Sequence, residues 1–225
     1  MHKLLLLIFV TSLFLSACEN GPEYMDLKGK IVDEQTKQPI SGRKVIVHDL
    51  LRNGDAEKQA YQGEFYTDNF GNFTYKLLKS KITYFYYFNV VGDSVYAFSN
   101  NLLGMTDLNY YGKFLELKVR KLTRLDIKIE RKSLTTYRDT LFVSWKSDNM
   151  DGEILYPYKI ENYGIDSEVP LRWIGGDVKS TILTRVYADK KTVVRWVLFR
   201  NGHRSEIYDT VFCKRTEPNN LYFRY

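Results

Sequence analysis

The segment LELKVRKLTRLDIKIE at residues 115–130 decides the fold class of this chain. Apolar residues alternate with charged residues over 115–120, and the alternation returns over 125–130. A period of two residues is typical of a β-strand with one buried face and one solvated face. Two such strands follow each other almost directly, and we place a domain boundary between them, at residue 120.

The remainder of the chain shows the same preference for strands. Tyr and Phe are abundant, at 18 and 13 residues, and no window of about twelve residues has a convincing helical period. We predict further strands at residues 140–145, 181–187, 193–200, 205–214 and 221–225. Asn201-Gly202 lies between two of these strands and is a preferred two-residue hairpin turn. The predicted fold class is therefore all-β.

Turn residues divide the first half of the chain. Gln38-Pro39 and Ser41-Gly42 are typical of turns between strands. Asp68-Asn69-Phe70-Gly71 ends in a glycine that can adopt a positive φ, and we predict that it joins two aromatic-rich strands as a hairpin. Residues 50–63 are polar, and we expect a long loop there.

Four segments of the first half form a recognisable set: residues 27–33 (LKGKIVD), 36–42 (TKQPISG), 44–47 (KVIV) and 67–73 (TDNFGNF). The set resembles the carboxypeptidase regulatory-like, transthyretin-like domain that is common on exported proteins of Bacteroidetes. The resemblance implies a β-sandwich over residues 26–120, although Arg43 stands where the family usually has a small residue. Residues 121–225 look like the second, Ig-like β-sandwich of small lipoproteins from the same bacteria, whose function is generally unassigned.

The first residues form an apolar leader that closes on Leu15-Ser16-Ala17-Cys18. As a helix, residues 4–17 would reach roughly 21 Å, which is less than the ~30 Å of a bilayer core, so a signal peptide is the better interpretation. The closing residues resemble the bacterial lipobox. That resemblance implies cleavage between Ala17 and Cys18 and a lipid anchor on Cys18, with residues 1–17 as the leader and 18–25 as a tether.

The anchor restricts the remaining interpretations. Glu19 follows the cysteine at the position where an aspartate favours inner-membrane retention, so we expect an outer-membrane protein, on the periplasmic face or the cell surface. The net charge of +6 is interspersed along the chain, so a nucleic-acid partner is not expected. Once Cys18 is acylated, Cys213 has no disulfide partner, and we expect it to be a small buried residue in a strand.

Catalytic constellations are not evident, and we expect neither an enzyme nor a cofactor. His48 and Asp49 are adjacent in a predicted strand, so their side chains should point to opposite faces. His203 and Cys213 would be roughly 33 Å apart if one continuous strand joins them. A nucleophile and its base need hydrogen-bond contact, so neither pair can serve.

Two oxygen-rich loops are candidates for calcium binding. One contains Asp68, Asn69 and Asn72, and the other, residues 148–153, contains Asp148, Asn149, Asp151 and Glu153. Calcium takes six to eight oxygen ligands. Asp, Asn and Gly are also ordinary turn residues, and we favour turns for both loops, with calcium left open for residues 148–153.

Aromatic residues provide the best candidates for binding. Residues 84–88 place rings on both faces of one strand, and one face must be core. Exposed rings could stack on sugars or anchor a protein partner, although packing is the favoured interpretation. The candidate stacking residues are Tyr87, Tyr110, Tyr111, Tyr156, Tyr158 and Trp173.

Three short triplets resemble the O-glycosylation acceptor of Bacteroidetes, an aspartate followed by Ser or Thr and an apolar residue. The acceptors would be Ser94, Thr140 and Thr210. Polar-to-apolar alternation at strand starts generates the same triplets by chance.

The leading functional hypothesis is a non-catalytic envelope lipoprotein that acts through protein contacts or as an accessory to an outer-membrane complex. A glycan-binding surface lipoprotein that uses exposed aromatic rings is the alternative, and a hydrolase is a third. The expected partners are a membrane, through the lipid anchor, and an envelope protein or a polysaccharide.

Overall fold

A computed structural model describes residues 22–225 except 54–55, 80–82, 105–113, 132–138, 148–156, 162–164, 169–170, 176–177 and 217. Every regular element in this described part is a β-strand, which confirms the all-β prediction. The same residues contain no helix with the length and apolar character needed to cross a bilayer. The leader, Cys18 and the first half of the tether lie outside the described residues.

Internal contacts divide the chain into two compact units. The first unit takes the chain up to Ile31, then Pro39–Val90 and Asn100–Leu117. The second unit takes Val32–Gln38, Val91–Ser99 and Lys118–Tyr225. The change at Lys118 lies close to the predicted boundary, but the sequence did not indicate that two earlier segments would join the second unit.

The first seven strands of the described residues, which end at Val119, form a β-sandwich. Hydrogen bonding orders them as a three-stranded sheet, β4-β1-β7, and a four-stranded sheet, β3-β2-β5-β6. Inward-facing rings pack the two sheets together: the centroids of Phe65 and Phe73 are 4.5 Å apart. The strands are β1 (Tyr24–Asp33), β2 (Lys44–Asn53), β3 (Ala56–Tyr66), β4 (Asn72–Leu78), β5 (Thr83–Val90), β6 (Ser99–Gly104) and β7 (Leu115–Val119).

Three details of this half differ from the predictions. β1 begins at Tyr24 instead of residue 26, because Tyr24 and Met25 already pair with β4. Residues 50–63 belong mostly to β2 and β3, whose antiparallel pairing continues through the polar segment that we expected to be a loop. Gly71 has the predicted positive φ, 77°. Its turn nevertheless connects strands of different sheets, so it is a crossover and not a hairpin.

Nine further strands form a second β-sandwich. They build a four-stranded sheet, β10-β13-β8-β16, and a five-stranded sheet, β11-β12-β9-β14-β15. In the core between them, the rings of Trp196 and Phe223 stack with centroids 4.1 Å apart. The strands are β8 (Leu122–Glu130), β9 (Asp139–Ser147), β10 (Pro157–Glu161), β11 (Ile165–Glu168), β12 (Leu171–Gly175), β13 (Lys179–Tyr187), β14 (Lys190–Arg200), β15 (His203–Cys213) and β16 (Asn219–Arg224).

The strand patterns predicted for this half are confirmed. Leu125, Ile127 and Ile129 are buried in β8, in agreement with the alternation over residues 125–130. Asn201 and Gly202 have φ of 52° and 76° and connect β14 to β15 as the predicted hairpin turn. Two consecutive positive φ values are the requirement of this turn type, which explains the Asn-Gly pair.

Candidate functional site

A row of rings crosses the solvent-facing side of the four-stranded sheet in the first unit. His48 in β2 lies directly opposite Tyr61 in β3 and Tyr87 in β5. The His48 and Tyr61 rings meet edge to face, with centroids 5.9 Å apart. Tyr61 is 62% exposed, whereas Tyr87 is half-buried. We call Tyr61, His48 and Tyr87 the tyrosine row.

The strand period places this row outside the core. Val47 and Phe88, the neighbours of His48 and Tyr87, are fully buried. Asp49 also points inward, where its Oδ2 accepts a 2.7 Å hydrogen bond from Gln62. His48 and Asp49 therefore lie on opposite faces, as predicted, and do not form a dyad.

Polar atoms accompany the rings of the tyrosine row. The amide nitrogen of Asn89 lies 3.4 Å from Nδ1 of His48. Rings flanked by an amide and an imidazole can present an apolar body and hydrogen-bonding tips to the same ligand. The row thus has the chemistry to bind a protein surface or a carbohydrate.

The predicted stacking residues are not brought together. Tyr87 lies in the tyrosine row. Trp173 is fully buried in β12, so its assignment as a loop residue available for stacking is wrong. It faces inward because β12 pairs with the central strand β9, opposite Leu141 of the core. Tyr110, Tyr111, Tyr156 and the side chain of Tyr158 lie outside the described residues.

A second concave surface lies on the outer face of the five-stranded sheet. It encloses about 460 Å³. Arg195 in β14 stands opposite Ser144 in β9 and Tyr208 in β15, and the adjacent row places Val193 opposite Lys146. These five side chains define what we call the β9–β15 groove. We did not predict this groove.

The Glu206 carboxylate holds two side chains of the β9–β15 groove by hydrogen bonds. Arg195 Nε donates a 2.7 Å hydrogen bond to Glu206, and Tyr208 and Arg204 also donate to its carboxylate. The Arg195 and Tyr208 hydrogen bonds lower the pKa of Glu206 to about 2. Glu206 is therefore ionised at neutral pH and holds Arg195 and Tyr208 in place. Lys146 forms no ion pair within the described part of the chain.

A buried carboxylate lies elsewhere in the second unit. Asp33 Oδ2 accepts a 2.7 Å hydrogen bond from Arg215, whose Nε donates to Asp189 at the same distance. Burial raises the pKa of Asp33. The Arg215 hydrogen bond and the backbone N–H groups of Thr36 and Gln35 outweigh burial and lower it to about 2. We interpret this cluster as structural, because its donors and acceptors are used within it.

Cys213 and His203 occupy opposite ends of β15, as predicted. Cys213 is a free, fully buried thiol. Burial raises its pKa, and the weak hydrogen bond to Thr192 only partly offsets that effect. A buried thiol with a raised pKa is unreactive, so Cys213 acts as a packing residue.

The candidate modification residues differ in accessibility. Ser94 is exposed in a turn that Asp93 holds by accepting hydrogen bonds from the Val95 and Tyr96 backbone. Thr210 is exposed on β15, whereas Thr140 is half-buried in the central strand β9. Glycosylation stays a prediction, and the structure favours Ser94 and Thr210 over Thr140 as acceptors.

The first candidate calcium loop is a hydrogen-bonded turn. Asp68 Oδ1 accepts hydrogen bonds from the backbone N–H groups of Phe70 and Asn72, both at 2.8 Å. Across the described residues, no three His, Cys, Asp or Glu side chains group as metal ligands. The second candidate loop, residues 148–153, lies outside the described residues.

Comparisons with known proteins find distant likenesses only. No family model and no curated protein matches the chain. The shaft pilin SpaA of Lactobacillus rhamnosus GG is 12% identical, with 90% of this chain and 97% of that chain covered and a TM-score of 0.34. The minor pilin GBS52 of Streptococcus agalactiae is 12% identical, with 89% and 94% covered and a TM-score of 0.39. The fold assignment accordingly depends on the strands and sheets described above, and the regulatory-like resemblance stays a prediction.

Proposed function

We propose that this protein is a non-catalytic lipoprotein of the cell envelope that binds a protein partner through its first unit. The observation that carries the proposal is the tyrosine row, which presents an exposed ring beside a half-buried one on a sheet face. Tyrosine is enriched in protein interfaces because its ring contributes apolar area and its hydroxyl contributes a hydrogen bond.

The lipobox resemblance supports the location. Three acyl chains on Cys18 would hold the protein at a membrane, since each buried CH₂ contributes about 0.8 kcal/mol. A tethered binding protein needs only surfaces for its function. In cells, Cys18→Ser should abolish palmitate labelling and release the protein from the membrane fraction. Unchanged labelling of that variant would contradict the anchor without bearing on the tyrosine row.

Photo-crosslinking tests the partner. A benzophenone amino acid at position 61 should give one discrete adduct with an envelope protein in intact cells. Tyr87→Ala should greatly reduce this adduct, because it removes the half-buried ring at the other end of the tyrosine row. Tyr222 is a matched control, since it is similarly exposed, at 59%, but lies in β16 of the second unit. Equal adducts from positions 61 and 222, or none from 61, would contradict the proposal.

Glycan binding by the same row is the second candidate function. It is favoured by the Asn89 amide beside His48, because sugars need hydrogen-bond donors and acceptors next to a stacking ring. Binding on a glycan array that Tyr61→Ala abolishes and Tyr222→Ala preserves would support this candidate. An array without a response would exclude it and leave the protein-binding proposal intact.

A further inference from the structure

The β9–β15 groove has the composition of a ligand site that is independent of the tyrosine row. Its volume of about 460 Å³ falls within the range of small-molecule sites, roughly 300–1,000 Å³. It lies on a rigid, centrally paired part of the sheet: β14 is hydrogen-bonded to β9 on one side and to β15 on the other. A ligand would therefore meet side chains that paired strands hold in place.

The polar groups of the groove are mostly hydrogen-bond donors. Lys146 contributes an ammonium group, Arg195 a guanidinium group and Ser144 a hydroxyl group. Lys146 and Arg195 are diagonal neighbours on adjacent antiparallel strands, and such residues are about 7–8 Å apart. A carboxylate is small enough to lie between two such cations and to accept hydrogen bonds from both. The ligand should therefore be rich in oxygen acceptors and carry negative charge.

The negative charge already present does not cancel this preference. Glu206 is the one carboxylate of the described residues bonded to the groove side chains, and Arg195, Arg204 and Tyr208 share it. Arg195 uses Nε for its contact with Glu206, and a guanidinium group carries further N–H donors on its two terminal nitrogens. Together with Lys146, they give the groove an excess of positive charge.

The apolar groups of the groove suit a sugar better than a peptide. Val193 and Tyr208 both line the groove, and Tyr208 is 60% exposed. An aromatic face is electron-rich and attracts the polarised C–H groups of a pyranose ring. Peptide anchors need deep apolar pockets for whole side chains, whereas this groove is an open surface whose apolar lining residues are Trp145, Val193 and Tyr208.

We propose that the β9–β15 groove binds an acidic saccharide, with a sugar carboxylate between Lys146 and Arg195 and the sugar ring against Tyr208. Ser144 then donates a hydrogen bond to a hydroxyl or carboxylate oxygen of the same residue. Glu206 acts as a positioning residue, because it accepts hydrogen bonds from Arg195 and Tyr208.

Calorimetric titration of the full chain in detergent tests the proposal. The probe is tetragalacturonate, and maltotetraose is a neutral saccharide of equal length. We expect saturable binding of tetragalacturonate and a weakening of about tenfold or more for maltotetraose, because the charge-assisted hydrogen bonds are lost. Binding of tetragalacturonate should also weaken as salt increases. Absence of saturable tetragalacturonate binding, or equal binding of the neutral saccharide, would overturn the proposal.

Substitutions locate the site. Lys146→Gln and Tyr208→Ala should each weaken tetragalacturonate binding about fivefold or more. Lys191→Gln, on the same strand as Arg195, and Tyr222→Ala are matched controls and should leave the affinity unchanged. All four positions are exposed, so the variants should keep the native tryptophan fluorescence. Equal losses in the control variants would show a general charge effect and overturn the assignment.

Two further results separate this site from the alternatives. Tyr61→Ala should bind tetragalacturonate normally, and a loss in that variant would place saccharide binding at the tyrosine row. A tetraglutamate peptide that binds as tightly as tetragalacturonate would overturn the saccharide class. Failure of the crosslinking experiment at position 61 leaves these results unaffected, because the two surfaces share no residue.

Discussion

Asp33 is a carboxyl group that the second unit keeps ionised in mildly acidic solution. Its side chain is only 2% exposed and is bonded to Arg215 and to the backbone N–H groups of its own turn. Although burial raises its pKa, these hydrogen bonds lower it from 3.8 to about 2. A depressed folded-state pKa contributes stability above the unfolded pKa, and this contribution is lost as the pH falls through the folded pKa.

Acid should therefore weaken the second unit between about pH 4 and pH 2. The shift corresponds to about 2 kcal/mol of unfolding free energy, since one pKa unit is about 1.4 kcal/mol. Arg215→Gln should cost about 3 kcal/mol at pH 7, because it leaves buried carboxylates without their cation. Urea unfolding followed by tryptophan fluorescence at pH 7 and near pH 2.5 measures both effects.

The difference between wild type and Arg215→Gln should shrink at the lower pH, because Asp33 is then protonated in the unfolded chain and its ion pair with Arg215 contributes less to stability. Lys179→Gln is the control, because Lys179 is exposed and forms no ion pair among the described residues. A difference of equal size at both pH values would contradict the role of Asp33.

Single residues also show where sequence reasoning reached its limit. Cys213 and the His48–Asp49 pair were predicted correctly, because strand parity and residue size determine their environment. Trp173 was misplaced, since its burial depends on pairing with β9, about thirty residues earlier in the chain. Tyr208 was not predicted as a binding residue. Its role depends on Arg195 and Glu206, which lie beside it in the folded sheet.

Two turns of the same local kind have different consequences at the level of elements. Gly71 and Gly202 both have a positive φ, of 77° and 76°. A Cβ on Gly202 would meet nothing within 4 Å, whereas a Cβ on Gly71 would lie 2.8 Å from the backbone nitrogen of Ile40. The Gly202 turn therefore has open space around its glycine, whereas the Gly71 turn is packed against another part of its unit.

Alanine at these two positions should therefore have unequal effects. Gly202→Ala should cost about 1 kcal/mol, the strain of a left-handed conformation at an L-residue. Gly71→Ala should cost about 3 kcal/mol, because steric overlap is added to the same strain. Urea unfolding, followed by fluorescence for the Gly202 variant and by far-UV circular dichroism for both, measures the costs. Equal losses would contradict the role of the Ile40 contact.

Elements were predicted well where the signal was local. The alternation over residues 125–130 and the Asn201-Gly202 turn predicted β8 and the β14–β15 hairpin. The connection after β3 was predicted as a hairpin, because Asp68 to Gly71 is turn chemistry and nothing in it specifies which sheet the next strand joins. The polar residues 50–63 were predicted as a loop, although cross-strand pairing overrides their composition.

On the scale of the whole molecule, tryptophan fluorescence reports the unfolding of the second unit. The chain has three, Trp145, Trp173 and Trp196, and all belong to the second unit. Because each unit has its own core, we expect fluorescence to follow the second unit and circular dichroism to follow both.

Gly71→Ala should leave the urea midpoint detected by fluorescence unchanged. It should lower the urea midpoint of the part of the circular-dichroism transition that reports the first unit. Gly202→Ala should lower the fluorescence-detected midpoint. Coincident shifts of both probes in both variants would contradict independent unfolding of the units.

The pairing of β16 with β8 has a consequence for biosynthesis. Leu221 pairs in parallel with Ile127. The central strand β8 is therefore synthesised more than ninety residues before its neighbour β16. Phe223, which stacks on Trp196, arrives at the same late stage. Such distant contacts carry a large loop-closure cost before they stabilise anything. The second unit should therefore complete its fold only after β16 has been synthesised.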